Sequence, residues 1–571
     1  MEKAWQILKP DMHLAEKLCR MLKCHPAIAS ILVNRNILSP EDASNFLNTS
    51  LRHLGPPFAI KDMDTAVERI ITAIMHKEKI LIFGDYDVDG ITATTILLDF
   101  LRSVGAHVSY YIPHRINEGF GLKKNHISDT ALPNGINLII TVDCGSDSHE
   151  AVEVARKAGI DVIITDHHII SDIIPPAVAV VNPKQGDCPS GFHDLAGVGV
   201  AFYLLICLRK KLRGINFWQD RPEPNLKNYC DLVALGILAD MVPLTNENRI
   251  LARTGLDIMG RTHRPGLKAL MEICKTNKHA VDTDDIVFGL APRLNSAGRM
   301  DHASTSLELL TARDVKTAKK MANSLNHMNQ NRRRIENKIL TQVHNHLKKN
   351  PHLFRKNTMV LAQEGWHLGV LGIVATRIVK KYFRPVVLIT TTDGIGRGSA
   401  RSIPGVNLYK GLSACASDIE NFGGHSMAAG LKIKAKNIEK FEINFENTVC
   451  RMTKLDDFIP KIFIDFVLDF EDISDKLIDE LEFLKPFGMG NNEPLFMAGN
   501  INVVSSRMVG NNHRRMVLSQ GKGRTEKTFN SIHFNVDPDT PLKENFDRIA
   551  FRLRWNRWNG RKTAQLVIEE T

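Results

Sequence analysis

The chain has 571 residues, too many for one hydrophobic core, and length alone argues for about three or four domains. Hydrophobic residues make up 43% and charged residues 24%, ordinary for a globular protein; no apolar run reaches the roughly 18 residues of a membrane span, so no membrane partner is expected. The formal net charge of +11 points first to a polyanion such as nucleic acid, against the plainer alternative of a mildly basic protein with no such partner.

Residues 1–55 read as helical, with Ser39 as N-cap and Pro40 at the first helical position. Met1 to Trp5 shows no basic segment leading into an apolar one, so no export signal is expected. The nine cysteines form no C-x-x-C pair, which fits free thiols and a cytoplasmic location, and argues against zinc at Cys144. From 56 to 260 strands and helices alternate. A helix over Thr65–His76, with Asp64 placed to cap it, precedes a strand over Ile80–Phe83 and a helix over Thr92–Val104. Strands follow over Val108–Ile112, Leu138–Val142 and Val162–Thr165, with a helix over His149–Ala158 between the last two. Leu232–Leu238 reads as a further buried strand. This βαβ pattern predicts a mostly parallel sheet.

Strand signals vanish over 261–350, where Asp314–Lys349 forms a long basic helical stretch around Arg332, Arg333 and Arg334. It is either a solvated connector or one wall of a nucleic-acid path. From 351 to 455 the pattern is again mixed α/β, with strands over Thr358–Ala362 and Pro385–Thr390. From 456 to 571 six short alternating segments with turn residues between them predict a small β-barrel. The fold class is therefore multidomain α/β with a terminal β-barrel.

Four acidic clusters follow the apolar runs of the first half. Asp85, Asp87 and Asp89 are spaced by two, which on a strand sets all three on one face, and Gly90 allows a turn into the next helix. Asp143 follows Val142. Asp166-His167-His168 is the more specific cluster: one imidazole can ligate a metal, its neighbour can reach a phosphate, and Asp166 can orient a ring. Asp240 closes the set. Carboxylates at this density repel one another, and oxygen-rich sites with one or two imidazoles suit Mg²⁺ or Mn²⁺ better than Zn²⁺. Two such ions would clamp the oxygens of a phosphoryl displacement and lower the pKa of a shared water. No Walker sequence is present, and Gly197-Val198-Gly199 is too short for a dinucleotide fingerprint, so no nucleotide cofactor is expected.

The second half carries two glycine-rich constellations. Gly394 to Ser402 sets small residues around Arg397 and Arg401, and Gly423 to Gly430 opens a helix beside His425. Each is a phosphate cradle or a plain turn. The barrel segments hold Arg514, Arg515, Lys522, Arg524, Lys527, Arg552, Arg554, Trp555, Arg557, Trp558, Arg561 and Lys562. Aromatics among arginines suit single strands, where bases stack and phosphates pair; the alternative is a charged edge guarding a sheet.

In order and spacing these motifs resemble the DHH phosphoesterase superfamily and, within it, the RecJ family of single-stranded-DNA exonucleases. The likeness runs from Leu32-Val33-Asn34-Arg35 through the four acidic motifs, Leu294 to Arg299, Gly365 to Ala375, Gly423 to Gly430 and Pro486 to Asn491. The resemblance implies 5′-to-3′ degradation of single-stranded DNA to mononucleotides, with Mn²⁺ or Mg²⁺, in recombination and repair. It implies Asp85, Asp87, Asp89, Asp143, His167 and Asp240 as the ligands of two metal ions, with His168 at the scissile phosphate. It places Arg115, Ser399 and Arg401 on the 5′-terminal phosphate, and Arg299 and His425 on the substrate backbone. An OB-fold barrel with Arg514, Arg515, Trp555 and Arg557 would hold the rest of the strand. A helicase and a single-stranded-DNA-binding protein are the implied partners. Cys144 and Ser296 depart from the family pattern. A phosphoesterase for smaller substrates and an inactive DNA-binding scaffold are the rivals; the first has no need of a basic barrel, and the second would have lost the acidic cluster.

Overall fold

The computed structural model describes all of the chain except residues 1–2, 172, 511, 524–525, 538–540, 542 and 559–560. Arg524 thus lies outside the described residues, and the side chain of Trp558 is likewise not described. The chain divides into two compact units: 56–240 with 255–460, and 4–55 with 241–254 and 461–571. Among the described residues no helix is long and apolar enough to cross a membrane.

The first unit opens with a five-stranded parallel sheet. Its strands are β1 (Lys79–Gly84), β2 (His107–Tyr111), β3 (Leu138–Val142), β4 (Asp161–Thr165) and β5 (Ala179–Val181), in the order β2-β1-β3-β4-β5. β1, β3 and β4 are buried along nearly their whole length, which accounts for their unbroken apolar sequences. Gly84 pairs with Val142, Val142 with Thr165 and Thr165 with Val181. The strand ends are therefore level, and Asp85, Asp143, Asp166 and Asn182 leave the sheet along one edge. The strand order reverses between β1 and β3, where doubly wound sheets bind ligands.

Around this sheet pack α1 (Val88–Ser103), α2 (His149–Lys157) and α3 (Gly197–Gly214), and α4 (Cys230–Asp240) packs in turn on α1 and α3. Three expectations are corrected here. Leu232–Leu238 belongs to helix α4, not to a strand; it is buried throughout, so its apolar run carries no helical period. The Asp85, Asp87 and Asp89 side chains do not share a strand face: β1 stops at Gly84, Asp87 caps α1, and Asp89 sits in its first turn. Asp64 lies inside the helix Met63–Met75, whose N-cap is Asp62.

Further helices lead to α5 (Pro265–Cys274), the helix Ser304–Thr311 and the 35-residue α6 (Val315–Lys349). Asp314 caps α6 by accepting from the Thr317 N–H at 2.8 Å. Buried positions recur every three or four residues from Ala318 to Leu347, giving α6 a continuous packed stripe. Arg332 lies in that stripe, bonded to Glu336 at 2.9 Å, while Glu336 meets Arg377 at 2.6 Å. Arg332 therefore serves packing; Arg333 and Arg334 face solvent.

A second sheet follows, of β6 (Met359–Glu364), β7 (Val386–Thr392), β8 (Ile395–Arg401), β9 (Asn421–Gly424) and β10 (Ala428–Lys434), in the order β9-β10-β8-β7-β6. Helix α7 (Leu368–Tyr382) packs on β7 and β8. The segment Gly423–Gly430 is the β9–β10 hairpin, where a helix start was expected. An added Cβ at Gly424, whose φ is +134°, would strike the Ala429 backbone at 2.6 Å, so the glycines serve a tight hairpin.

In the second unit a closed barrel forms from β12 (Phe496–Val509), β13 (His513–Gln520), β14 (Lys527–His533), β15 (Asn545–Trp558) and β16 (Arg561–Glu570), with the short β11 (Phe466–Val467) alongside β12. Pairing of β12 with β15 closes it. One core joins the barrel to the N-terminal helices: Leu18, Ile28 and Leu32 pack in the same cluster as Phe496, Phe551 and Leu566. Arg249, 1% exposed, donates to the carbonyls of Phe46, Phe483 and Leu484 and lies 3.7 Å from the Phe46 ring centroid.

Candidate metal centre and phosphate-binding residues

The loop after each level strand end delivers one acidic group. Asp143 is held at φ +60°, a left-handed conformation few L residues adopt, and its N–H donates to the Thr165 carbonyl at 3.0 Å. Its carboxylate packs so close to α3 that an added Cβ at Gly197 would stand 2.5 Å from Oδ1. Asp89 is fixed by the same helix start: Gly197 N–H and Val198 N–H donate to its two oxygens at 2.7 and 2.8 Å. Asp87 uses Oδ1 to cap α1, accepting from the N–H of Asp89 and Gly90. Gly90 is required by proximity, since an added Cβ would meet the Asp85 backbone at 2.7 Å. The Gly197-Val198-Gly199 triplet, no nucleotide fingerprint, is thus a support for two site carboxylates.

The donor atoms gather in three overlapping groups: Asp85, Asp87 and Asp143; Asp89, His167 and Asp240; Asp143, His167 and His168, each with its atoms within 4.8 Å of one another. His167 Nε2 lies 3.1 Å from Asp143 Oδ1, 3.6 Å from Asp240 Oδ2 and 3.8 Å from Asp89 Oδ2. Burial, then the charge of His168, lowers the His167 pKa to about 3, so its ring is neutral. A neutral imidazole nitrogen thus faces three crowded carboxylates, and a cation held among these donors would relieve their mutual repulsion. Asp85, Asp89 and Asp143 are all pushed well above the usual carboxylate range, by burial first and then by their acidic neighbours. Asp240 is raised to about 6 by burial and by Asp87. Asp85 Oδ1 and Asp143 Oδ1 are buried with no hydrogen-bond donor among the described residues. Oxygen-rich donors with one imidazole fit Mn²⁺ or Mg²⁺.

Asp166 is not one of these donors. Its Oδ1 accepts from the N–H of His167 at 2.7 Å and of His168 at 3.1 Å, and from His168 Nδ1 at 2.8 Å; its Oδ2 accepts from Ser146 N–H at 2.9 Å. Burial would raise this carboxyl, but the His168 bond and charge hold it well below the ordinary range. Burial likewise opposes charge on His168, and the bond to Asp166 with the surrounding carboxylates overcomes it, raising the ring to about 9. His168 is thus a fixed cation at the rim of the acidic cluster.

The structure brings three of the proposed phosphate groups together. Arg115 and Arg401 each oppose the charge of Arg299, which burial and these neighbours lower to about 9. Arg115 lies over the Tyr86 ring at 4.8 Å. Arg401 Nη1 donates to Ser399 Oγ at 3.1 Å, and Gly372 on α7 leaves the space, since a Cβ there would meet Arg401 Nη2 at 2.6 Å. Asp87 pulls the Arg299 pKa upward and Arg115 pulls Asp85 downward, so the cations adjoin the acidic cluster. His425 is exposed; desolvation and then His168 lower its pKa.

The barrel residues lie in the other unit. Arg515 is exposed and pairs across the sheet with Arg507, and Arg557 with Lys562; like charges set opposite are destabilising unless an anion covers them. Arg514, one residue before Arg515, pairs with Met508 and His533. Trp555 donates from Nε1 to Asp479 at 2.8 Å and carries Lys562 at 4.0 Å over its ring. Arg552 and Arg554 are paired with Glu493. Two supports went unread in the sequence. Asn182, after the three-residue β5, donates to Ser146 Oγ and to the His168 carbonyl, and a strand so short leaves almost no pattern. Phe120, 44% exposed, sits 5.1 Å from the His168 ring, and a lone aromatic in a loop gives no local signal.

Residues 79–237 match the DHH family, N-terminal domain, 355–449 the DHHA1 domain, and 464–570 the RecJ OB domain. The chain is 35% identical to the single-stranded-DNA-specific exonuclease RecJ of Bacillus subtilis, over 99% of this chain and 70% of that one. It is 34% identical to RecJ of Haemophilus influenzae, over 95% and 96%. The chain belongs to the RecJ family. Crystallised RecJ of Thermus thermophilus in complex with Mn²⁺ superimposes with a TM-score of 0.84 at 27% identity, covering 99% of this chain and 79% of that one. The complex of the same protein with Mg²⁺ gives 0.78. The donor set of this RecJ-family chain has the chemistry those ions require.

Proposed function

We infer that this chain is a metal-dependent exonuclease specific for single-stranded DNA, acting from the 5′ end and releasing 5′-mononucleotides. The observation that carries the reading is the meeting of the shared carboxylate–imidazole cluster with the Arg115, Arg299 and Arg401 cations. Asp85, Asp87, Asp89, Asp143, His167 and Asp240 hold two divalent ions. When bound, the ions supply an activated water and charge stabilisation for phosphodiester hydrolysis. His168, kept charged by Asp166, donates to a non-bridging oxygen of the scissile phosphate.

A terminal phosphate monoester carries nearly two negative charges near neutral pH, and a diester carries one. Arg115, Ser399 and Arg401 favour the more charged end, which supports 5′ polarity. Arg299 and His425 contact the backbone, and Arg514, Arg515, Trp555 and Arg557 hold the trailing strand on the barrel. We assign the chemistry to 56–260, the connector to 261–350, terminal-phosphate recognition to 351–455 and strand binding to 456–571, with 1–55 as an N-terminal helical segment. A helicase and a single-stranded-DNA-binding protein supply the substrate, in cytoplasmic recombination and repair.

The test is label release from single-stranded DNA marked at its 5′ or its 3′ end, with and without Mn²⁺. Early loss of the 5′ label as mononucleotide, only with metal, is expected. Early loss of the 3′ label reverses the polarity, and binding without release from either end favours a scaffold.

A further inference from the structure

A second polar cavity, of about 620 Å³, lies in the first unit at the end of α1 and α4 remote from the metal centre. α1 carries Asp89 in its first turn and Asp99 ten residues on; α4 carries Asp240 at its end and Asp231 nine residues earlier. At about 1.5 Å per residue, each helix separates cavity from metal centre by roughly 15 Å.

The cavity floor is built and fixed. Arg264 donates to Asp99 Oδ2 at 2.8 Å and approaches Asp231 Oδ1 at 3.4 Å. Asp231, 1% exposed, also accepts from Thr262 Oγ1 at 2.6 Å and the Leu232 N–H at 2.8 Å. Asp99 Oδ1 remains open to one further donor among the described residues. The rim is different. Lys227, Arg261, His263 and Arg313 line it, all exposed, and among the described residues none of their side chains has a carboxylate partner. Ile258, Pro265 and Leu310 give the lining its apolar part. Pro265 opens α5, whose N-terminus has no side-chain cap, so the positive helix end adds to the field.

We propose that this cavity is a second ligand site, for a nucleotide-sized phosphorylated molecule such as a nucleoside monophosphate. The rim supplies forks and an ammonium for the phosphate, the apolar wall takes the flat face of a base, and Asp99 accepts from an amino or hydroxyl group at the floor. A volume of this order matches small-molecule sites. The inference stands on the cavity alone and does not depend on the exonuclease reading.

Equilibrium dialysis of the full chain with Mn²⁺ and radiolabelled deoxyadenosine 5′-monophosphate tests it, with inorganic phosphate as competitor. Two classes of site are expected in the wild type. The Arg261→Glu/Arg313→Glu double variant should bind roughly tenfold or more weakly at one class and keep wild-type hydrolysis of single-stranded DNA; Lys227→Gln should weaken the same class. Asp143→Ala should affect only the other. A single class in the wild type, or two unchanged classes in the double variant, overturns the proposal. So does equal competition by inorganic phosphate, which would mark a bare anion site. Loss of affinity for long single strands with mononucleotide binding unchanged would make the surface part of a nucleic-acid path and also overturn it. Failure of the exonuclease reading would appear separately, in the end-label assay.

Discussion

Asp143 adopts a backbone conformation that costs an L residue on the order of 1–3 kcal/mol, and it does so where its carboxylate belongs to two of the three donor groups. Such strain persists only where the surroundings enforce it. Here they are the Thr165 carbonyl, which takes its N–H, and Gly197, which leaves room for its carboxylate. We expect Asp143→Ala to lower hydrolysis by more than about a hundredfold, because loss of an outer-shell partner alone commonly costs 10- to 100-fold. Affinity for single-stranded DNA should survive; turnover at the wild-type rate would remove Asp143 from the site. At this scale the sequence was most legible. An acid directly after a buried strand is visible without coordinates, and so is an Asp-His-His triplet. The supports were not, because Gly197 and Val198 reach Asp89, and Asn182 reaches Ser146 and the His168 carbonyl, from positions 14 to 109 residues away.

Among the elements, β1 to β4, β6 and β7 were read as strands, whereas β5, β8 and α4 were not. Every face of α4 from Cys230 to Leu238 is buried, so its sequence alternates with no period, and a seven-residue apolar run in such a helix looks like a central strand. Gly236 marks the difference. It sits where α4 meets α1 and α3: a Cβ there would strike Thr92 Oγ1 and stand 2.7 Å from Val198 and 2.9 Å from Asp89 Oδ1. Gly236→Ala gains helix propensity, worth about 1 kcal/mol, but overpacks a junction with no slack, at about 1–3 kcal/mol. We expect net destabilisation in a denaturant melt together with weakened Mn²⁺ binding, because Asp89 must move. A stabilised variant would show that α4 shifts freely. The β9–β10 hairpin was missed for a related reason, since three glycines in eight residues serve a tight hairpin as readily as a helix start.

For the molecule as a whole, the N-terminal helices were legible as helices but not as part of the barrel's core, and Ala4–Ile7, read as helical, is a strand paired in parallel with Lys461–Ile464. That assembly is set by side chains more than 200 residues apart, with Arg249 tying the carbonyls of Phe46, Phe483 and Leu484 together. Arg249→Met keeps the stem and strands those carbonyls; about 2–4 kcal/mol of stability should be lost, and an unchanged denaturation midpoint would refute this role. The same packing means that deleting residues after 460 removes most of a core as well as the proposed strand-binding surface, so point variants at Arg515 and Arg557 are the cleaner probes of the barrel.

Charge sets a second molecule-wide dependence. The net excess of +11 coexists with a buried acidic cluster that opposes folding when no cation is bound. Asp240 titrates near 6 in the folded chain and near about 3.9 when unfolded. Between those values the folded state holds more protons, so metal-free stability falls as pH rises from about 4 through 6. Asp85, Asp89 and Asp143 shift in the same direction and deepen the loss. Mn²⁺ replaces those protons and binds only the folded site; at a hundred times its dissociation constant it adds about 2.7 kcal/mol. Thermal melts with Mn²⁺ and with a chelator should therefore differ more at pH 7.5 than at pH 5.5, and the difference should vanish in Asp143→Ala. An equal shift at both pH values would mean that the ion does not take the place of these protons.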